Sequence, residues 1–169
     1  MTQESRADDV TIRPARPEDH DALWRILEPV IRAGETNALP RDMSRAEAIA
    51  YWTHADHEVF VAELEGRAVG TYYLRPNNPG GGAHIANGGY MTAQDATGRG
   101  VARAMCVHSL GRARERGFRG MQFNFVIATN QRAVRLWTGL GFAEVGRLPQ
   151  VFLHPRLGYV DALVLFRAL

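Results

Sequence analysis

The sequence has no lysine: all 20 of its basic side chains are arginine, set against 18 acidic residues, for a formal charge of +2. So small and scattered an excess argues against nucleic acid as the first partner to consider. The densest basic cluster, Arg112, Arg114, Arg116 and Arg119, is spaced as the solvated end of a helix rather than as a phosphate site. Cysteine is almost as scarce. The single Cys106 cannot form an internal disulfide, which agrees with a reducing compartment. No apolar run reaches the length of a membrane span. The start MTQESRADD has neither the basic residues nor the apolar stretch of a secretion signal, so no membrane partner and a cytoplasmic location are expected. His54, His57, His108 and His154 lack ligand-like spacing with Cys106 or acidic residues, so no metal is expected. No internal repeat or low-complexity tract is visible.

What remains fits one domain. A chain of 169 residues, 46% hydrophobic, is enough for one core and too short for two ordinary domains, which gives a frayed tail at 1–9 and a single domain at 10–169. Val10–Arg13 alternates as a short strand. Pro17-Glu18-Asp19 opens a helix whose apolar face is Leu23, Trp24, Ile26, Leu27, Val30 and Ile31, and Pro29 is expected to kink or divide it. Gly34–Asp42 reads as a loop, and Ser44-Arg45-Ala46-Glu47 as a capping box opening a second helix through Trp52. EVFVAEL (58–64) and AVGTYYL (68–74) flank Glu65-Gly66-Arg67 as a hairpin, and RPNNPGGGA (75–83) reads as an irregular loop.

The strongest signal lies in Tyr90–Arg116. A strand from His84 to Thr92 leads into a turn where Gly98, Gly100 and Ala102 let the backbone approach a ligand as a long helix begins. Partial positive charge at that helix start, reinforced by Arg99 and Arg103, favours an anion such as phosphate. Met121–Ala128 is a further strand, Asn130 caps a helix carrying Ala133, Val134, Leu136, Trp137 and Leu140, and two last strands, Phe142–Leu148 and Tyr159–Phe166, are separated by a proline-containing loop. This alternation predicts an α/β mixed sheet covered by helices on both faces, with the glycine turn at the carboxyl end of a central strand, where open sheets bind ligands. Cys106, in register with Ala102, Met105 and Leu110, is expected in the core and not as an acyl-carrying nucleophile.

These blocks together resemble the GNAT superfamily of acetyl-CoA-dependent N-acetyltransferases, over Val10–Leu169. The turn Thr97-Gly98-Arg99-Gly100-Val101-Ala102 follows that family's R/Q-x-x-G-x-G/A pattern at Gly100 and Ala102, with Thr97 in place of Arg or Gln. Asn130, Ala133, Leu136 and Gly141-Phe142 match a second block, N-x-x-A-x-x-L-[Y]-x-x-x-G-F. The resemblance implies a central, mostly antiparallel twisted sheet of six to seven strands and acetyl-CoA as cosubstrate. It places the pyrophosphate on the backbone N–H groups of Gly98, Arg99, Gly100, Val101, Ala102 and Arg103, and the thioester oxygen beside those around Met91, Thr92 and Ala93. Asn130, with Arg132 and Trp137, would lie along the pantetheine arm. Trp137 stands where many members carry a tyrosine able to protonate the leaving thiolate, a role that an indole N–H cannot fill.

HIANGGYM, FNFVIATN and LGYVDALVLFRAL also resemble the fungal acetyltransferases that act on proline analogues such as azetidine-2-carboxylate. That likeness implies acceptor-lining roles for Asn87, Asn124 and Asn130, and a small-molecule amine as acceptor, such as an amino acid or proline analogue. Candidate bases are Glu35, His84 and Tyr90, with deprotonation through water as the alternative. Rival readings are a non-catalytic acyl-CoA sensor, a protein N-terminal or side-chain acetyltransferase, and a dinucleotide-binding enzyme. The last is weakened because the strand ending FVIATN lacks an acidic residue for a ribose. A homodimer through the C-terminal strands is consistent with the resemblance.

Overall fold

The computed structural model describes residues 9–169; residues 1–8, most of the expected N-terminal tail, lie outside the described residues. Strands β1 (Thr11–Pro14), β2 (Glu58–Leu64), β3 (Arg67–Pro76), β4 (Ile85–Thr92), β5 (Gly120–Ile127), β6 (Ala143–His154) and β7 (Gly158–Ala168) form one sheet in the order β1-β2-β3-β4-β5-β7-β6. Every neighbouring pair is antiparallel except β4 and β5. Helices α1 (His20–Ala33) and α2 (Arg45–Trp52) cover one face, and α3 (Val101–Glu115) and α4 (Gln131–Gly139) the other.

Strand alternation builds the two cores. Along β3, Tyr72 and Leu74 enter the cluster beneath α3 with Met105, Cys106, Leu110 and Phe123, whereas Tyr73 joins Leu23, Leu27, Ile31, Trp52 and Met91 beneath α1 and α2. Ser44 and Glu47 form the expected capping box, with Ser44 Oγ accepting from the Glu47 N–H. Cys106 is fully buried, and burial pushes its thiol up to about 12.

Three expectations change. Pro29 does not divide α1, which runs unbroken to a left-handed Gly34; the proline gives up one backbone bond, while Leu23, Ile26, Leu27 and Ile31 keep the helix seated on the sheet. β3 continues through Arg75 and Pro76, read from the sequence as loop. Pro76 lies opposite Ala86, a position between ladder hydrogen bonds, and β2 has already ended at Glu58 opposite Leu74, so the missing N–H leaves no partner unsatisfied. The last two strands form one long hairpin, with Pro149 inside β6 rather than in a loop. β6 is the outermost strand, and its pairing with β7 shifts register between Leu148 and Phe152, with Gln150 at φ 51, so the proline sits in a bulge on an edge.

Candidate active site

The site begins where two strands part. β4 and β5 pair only at Ile85–Gly120 and Ala86–Met121. Beyond that point β4 stays with β3 and β5 stays with β7, so the sheet splits. The register shows which peptide groups the split exposes. Ala93 N–H donates to the Val69 carbonyl at 2.8 Å, and Asn77 N–H to that of Ile85 at 2.7 Å. In an antiparallel ladder of this phase, the N–H groups of Asn87, Gly89, Met91 and Ala93 all point to β3. Those of Gly88, Tyr90 and Thr92 point to the gap. Of the N–H groups expected around Met91–Ala93 to face a thioester oxygen, those of Met91 and Ala93 are therefore spent on the ladder, and Thr92's is the one directed at the opening.

A cavity of about 480 Å³ fills the split and passes from one face of the sheet to the other. On the α3/α4 face it is lined by Tyr90, Phe123, Asn130, Ala133 and Trp137. Trp137 packs on Tyr90 and Phe123, with ring centroids 5.1 and 5.2 Å apart. On the α1/α2 face the walls are Tyr51, Trp52, Tyr73, Arg75 and Asn87, together with Thr36–Leu39. Gly89 lies opposite Tyr73 in the ladder, and a Cβ there would stand 2.6 Å from the Tyr73 ring. Only glycine leaves that ring its place.

Asn87 sits at the fork. It is buried, its Nδ2 donates to the Gln122 carbonyl of β5 at 2.9 Å, and its Oδ1 accepts from Arg75 Nε at 3.4 Å. The side chain thus bridges β4 and β5 just where their backbone pairing stops. Asn124 lies in the irregular stretch between Phe123 and Val126; its Oδ1 accepts from Gln122 Nε2 at 2.9 Å and its Nδ2 donates to Asn77 Oδ1 at 2.7 Å. Asn130 caps α4, accepting at Oδ1 from the Ala133 N–H at 3.3 Å, which leaves Nδ2 as its group able to serve a ligand.

The second half of the site is the start of α3. Gly98 and Gly100 have φ of +85° and +80°, a conformation side chains rarely adopt, and Gly100 is the N-cap with no side-chain hydrogen bond to the helix. The first intrahelical bond runs from Ala104 N–H to the Gly100 carbonyl, so the N–H groups of Val101, Ala102 and Arg103 have no intrahelical partner. This 15-residue helix presents its positive end as an anion cradle. Arg103 is exposed there, whereas Arg99 is held by Glu65 at 3.0 Å and Thr97 Oγ1 turns back to the Ala93 carbonyl. The cradle is therefore mainly backbone.

Asn87, Met91, Asn124, Asn130 and Trp137 converge on the cavity; Thr92 and Ala93 follow at the end of β4, and residues 98–103 form the separate cradle. Arg132 is exposed on the first turn of α4, outside the lining. The base candidates do not gather at the cavity. Glu35 pairs with Arg156 at 2.9 Å and is not part of the lining, although Thr36 is. His84 is exposed in the turn before β4. Tyr90 lines the cavity, but its hydroxyl points under α3 to Ser109 Oγ at 2.7 Å, and burial pushes its phenol well above the ordinary range. Among the described residues, no aspartate, glutamate, histidine or cysteine lines the cavity. No group of three or more potential metal ligands occurs, and no helix is long and apolar enough to cross a membrane, again among the described residues.

Sequence reasoning missed Arg75, Tyr73 and Tyr51. Arg75 was hidden at the head of a run that reads as loop, and the tyrosines look like ordinary strand and helix residues. Tyr73 stacks on His57 at 3.9 Å, and its hydroxyl lies 3.4 Å from that of Tyr51. His57 Nδ1 contacts the Trp52 carbonyl at 2.9 Å, and burial holds the imidazole below its ordinary pKa.

The fold has counterparts among solved structures. A GCN5-related N-acetyltransferase from Kribbella flavida superposes with a TM-score of 0.91 at 37% identity, over 96% of this chain and 99% of that one. A phosphinothricin acetyltransferase from Sinorhizobium meliloti, solved in complex with acetyl-CoA, has the same fold at TM-score 0.83 and 21% identity, over 95% of this chain and 89% of that one. The N-acetyltransferase aca1 of Schizosaccharomyces pombe is 36% identical over 97 residues, 57% of this chain and 46% of the relative, so the chain spans less than half the length of that curated protein. The family model described as "Acetyltransferase (GNAT) family" matches residues 21–142, the segment from α1 through α4 that contains both the split and the cradle, and the chain belongs to that family.

Proposed function

We propose that the protein transfers an acetyl group from acetyl-CoA to the amine of a small molecule, by direct attack within a ternary complex. The observation that carries this reading is an unsatisfied strand edge on β4 followed within a few residues of chain by an open helix N-terminus at α3. Coenzyme A offers a pyrophosphate for the N–H groups of Val101–Arg103 and an amide-bearing arm for the free edge at Gly88, Tyr90 and Thr92. The acetyl thioester supplies the activated acyl group. Trp137 and Phe123 wall the arm, and Asn130 Nδ2 is a donor beside it. One of the gap-facing N–H groups of β4 donates to the oxygen that becomes negative during attack.

The acceptor enters from the α1/α2 face, between Tyr51, Tyr73, Arg75 and Asn87. With no carboxylate or imidazole in the lining among the described residues, the amine arrives neutral or loses its proton to solvent. Arg75 favours this, because a cation in the same chamber disfavours a second, ammonium charge. Trp137 gives no proton to the departing thiolate, but a thiol of pKa about 8.5 leaves without one. The outer strand β6, its partner β7 and the turn between them expose Val145, Val151, Leu153, Leu157 and Tyr159, which supports a homodimer through the C-terminal hairpin as a subsidiary proposal.

Calorimetry with acetyl-CoA and with NAD, followed by thiol release on a panel of small amines, tests the reading. Binding of acetyl-CoA alone, with amine-dependent thiol release and an N-acetylated product by mass spectrometry, is expected. Binding without transfer to any amine would leave a sensor in its place, and no acetyl-CoA binding would overturn it altogether.

A further inference from the structure

Charge in the acceptor half of the cavity is unbalanced. Several arginines elsewhere are answered by carboxylates, as Arg13 is by Asp19 and Glu63, Arg112 and Arg116 by Glu58, and Arg147 by Glu144 and Asp161, while half-buried Arg167 donates to the Leu140 carbonyl. Arg75 is half-buried in the cavity wall, and among the described residues no carboxylate lies within 4.0 Å of it. A guanidinium cannot shed its charge, and withdrawing it from water without a counter-ion is costly. Among the described residues its one polar contact is neutral, from Nε to the Asn87 Oδ1 at 3.4 Å.

That contact also sets the orientation. With Nε turned to Asn87, the two Nη groups remain as a planar fork. Asn87 is itself fixed by its bond to the Gln122 carbonyl, so the fork is braced by a side chain locked into the split of the sheet. Arg75 and Asn87 are partners in the β3–β4 ladder, and Tyr73 and Gly89 are the next pair along the same face. The fork therefore sits one step from the place where glycine opens the wall and the cavity crosses to the thioester side. A planar, singly charged anion complements it in shape and charge. The cavity volume, shared with the thioester end, suits an amino-acid-sized molecule.

We infer that the acceptor is a small amino or imino acid whose free carboxylate is held by the Nη edge of Arg75, with the amine thereby directed through the split at Gly89 towards the gap-facing edge of β4. Arg75 is then a specificity-determining residue, separating amino acids from plain amines and from peptide N-termini, whose neighbouring carbonyl carries no charge. This rests on the acetyltransferase reading above and adds to it the acceptor's second functional group.

The test measures acetyl-CoA thiol release with the common amino acids and cyclic imino acids, each beside its own carboxamide. The carboxamide is a stringent comparison: its amine is the weaker base and so the more neutral at mildly alkaline pH, and an enzyme blind to the carboxylate would prefer it. The expected result is the reverse, with kcat/KM favouring the acid by about tenfold or more on each scaffold turned over. Arg75→Gln should collapse that ratio mainly through KM for the acid, and Arg75→Lys should restore part of it. The melting temperature and acetyl-CoA affinity of each variant guard against mere misfolding. Carboxamides or plain amines used as well as the acids, or a ratio unchanged in Arg75→Gln, would overturn this inference while leaving the acetyltransferase standing. Absence of thiol release with every compound would remove both.

Discussion

Replacing Gly89 by alanine is the sharpest probe of how the cavity wall is built. An added Cβ would stand 2.6, 2.8 and 2.9 Å from Cε1, Cζ and Oη of Tyr73. The ring has little room to retreat. It is 6% exposed, stacked on His57 at 3.9 Å, packed edge-on against Trp52 at 4.9 Å, and its hydroxyl lies 3.4 Å from that of Tyr51. Overpacking of this kind costs about 1–3 kcal/mol. Removing a glycine from an extended segment works the other way, through the unfolded chain, by about 0.4–1 kcal/mol. The net expectation is a loss of about 1–2 kcal/mol, which for a chain of this length lowers the thermal midpoint by roughly 2–8 °C. In a Tyr73→Ala background the obstruction is gone, and the same substitution should instead leave stability unchanged or raise it. Scanning calorimetry on the wild type, both single variants and the double variant reads the sign and the coupling directly. A Gly89→Ala protein as stable as the wild type, or one destabilised equally in both backgrounds, would refute the reasoning.

Two further outcomes follow from the same structure. Burial depresses the pKa of both His57 and His108 below 6.5, so below about pH 6.5 the unfolded chain takes up protons that the folded chain refuses. Stability should therefore fall as the pH drops through that value until the folded-state pKa values are crossed, and His57→Gln should flatten part of the slope in urea titrations at a series of pH values; an unchanged slope would show that His57 is not the group responsible. Cys106, fully buried with its thiol pushed up to about 12, should resist iodoacetamide in the native state and react only on unfolding, and Cys106→Ala should retain acetyl transfer; loss of transfer with folding intact would implicate the thiol in the chemistry.

Much of the site was legible because parts of it are local. The anion cradle depends on Gly98, Gly100 and the helix that follows, all within one short segment, and the Asn130 cap depends on Asn130 and Ala133 alone. Asn130 and Trp137, which line the cavity, lie in one such short segment, and the pantetheine arm proposed against them comes from the resemblance. The acceptor side was not local. Arg75, Tyr73 and Tyr51 come from β3 and α2, and none has a neighbour in sequence that marks it as functional; Asn87, from β4, was reached only through the resemblance of HIANGGYM. Glu35 was drawn into the candidate list by lying in the loop that does reach the cavity, yet Arg156, from the far end of the chain, holds its carboxylate. The peptide groups proposed to face the thioester posed a different problem: the resemblance brought the reading to Met91–Ala93 but could not distinguish alternate residues, because which N–H groups are free is set by the phase of hydrogen bonding to β3.

Periodicity and turn chemistry, which act over a few residues, were enough for the sequence by itself to determine the elements, their alternation, the buried Cys106 and the glycine cradle at the start of α3. Tertiary structure alone decided where β4 and β5 part, which strand edge is left open, that Pro76 and Pro149 lie within strands, and that Arg75 stands in the cavity wall with no carboxylate beside it. These depend on which distant strands become neighbours and in what register, and hydrogen-bond phase and charge balance are properties of that pairing.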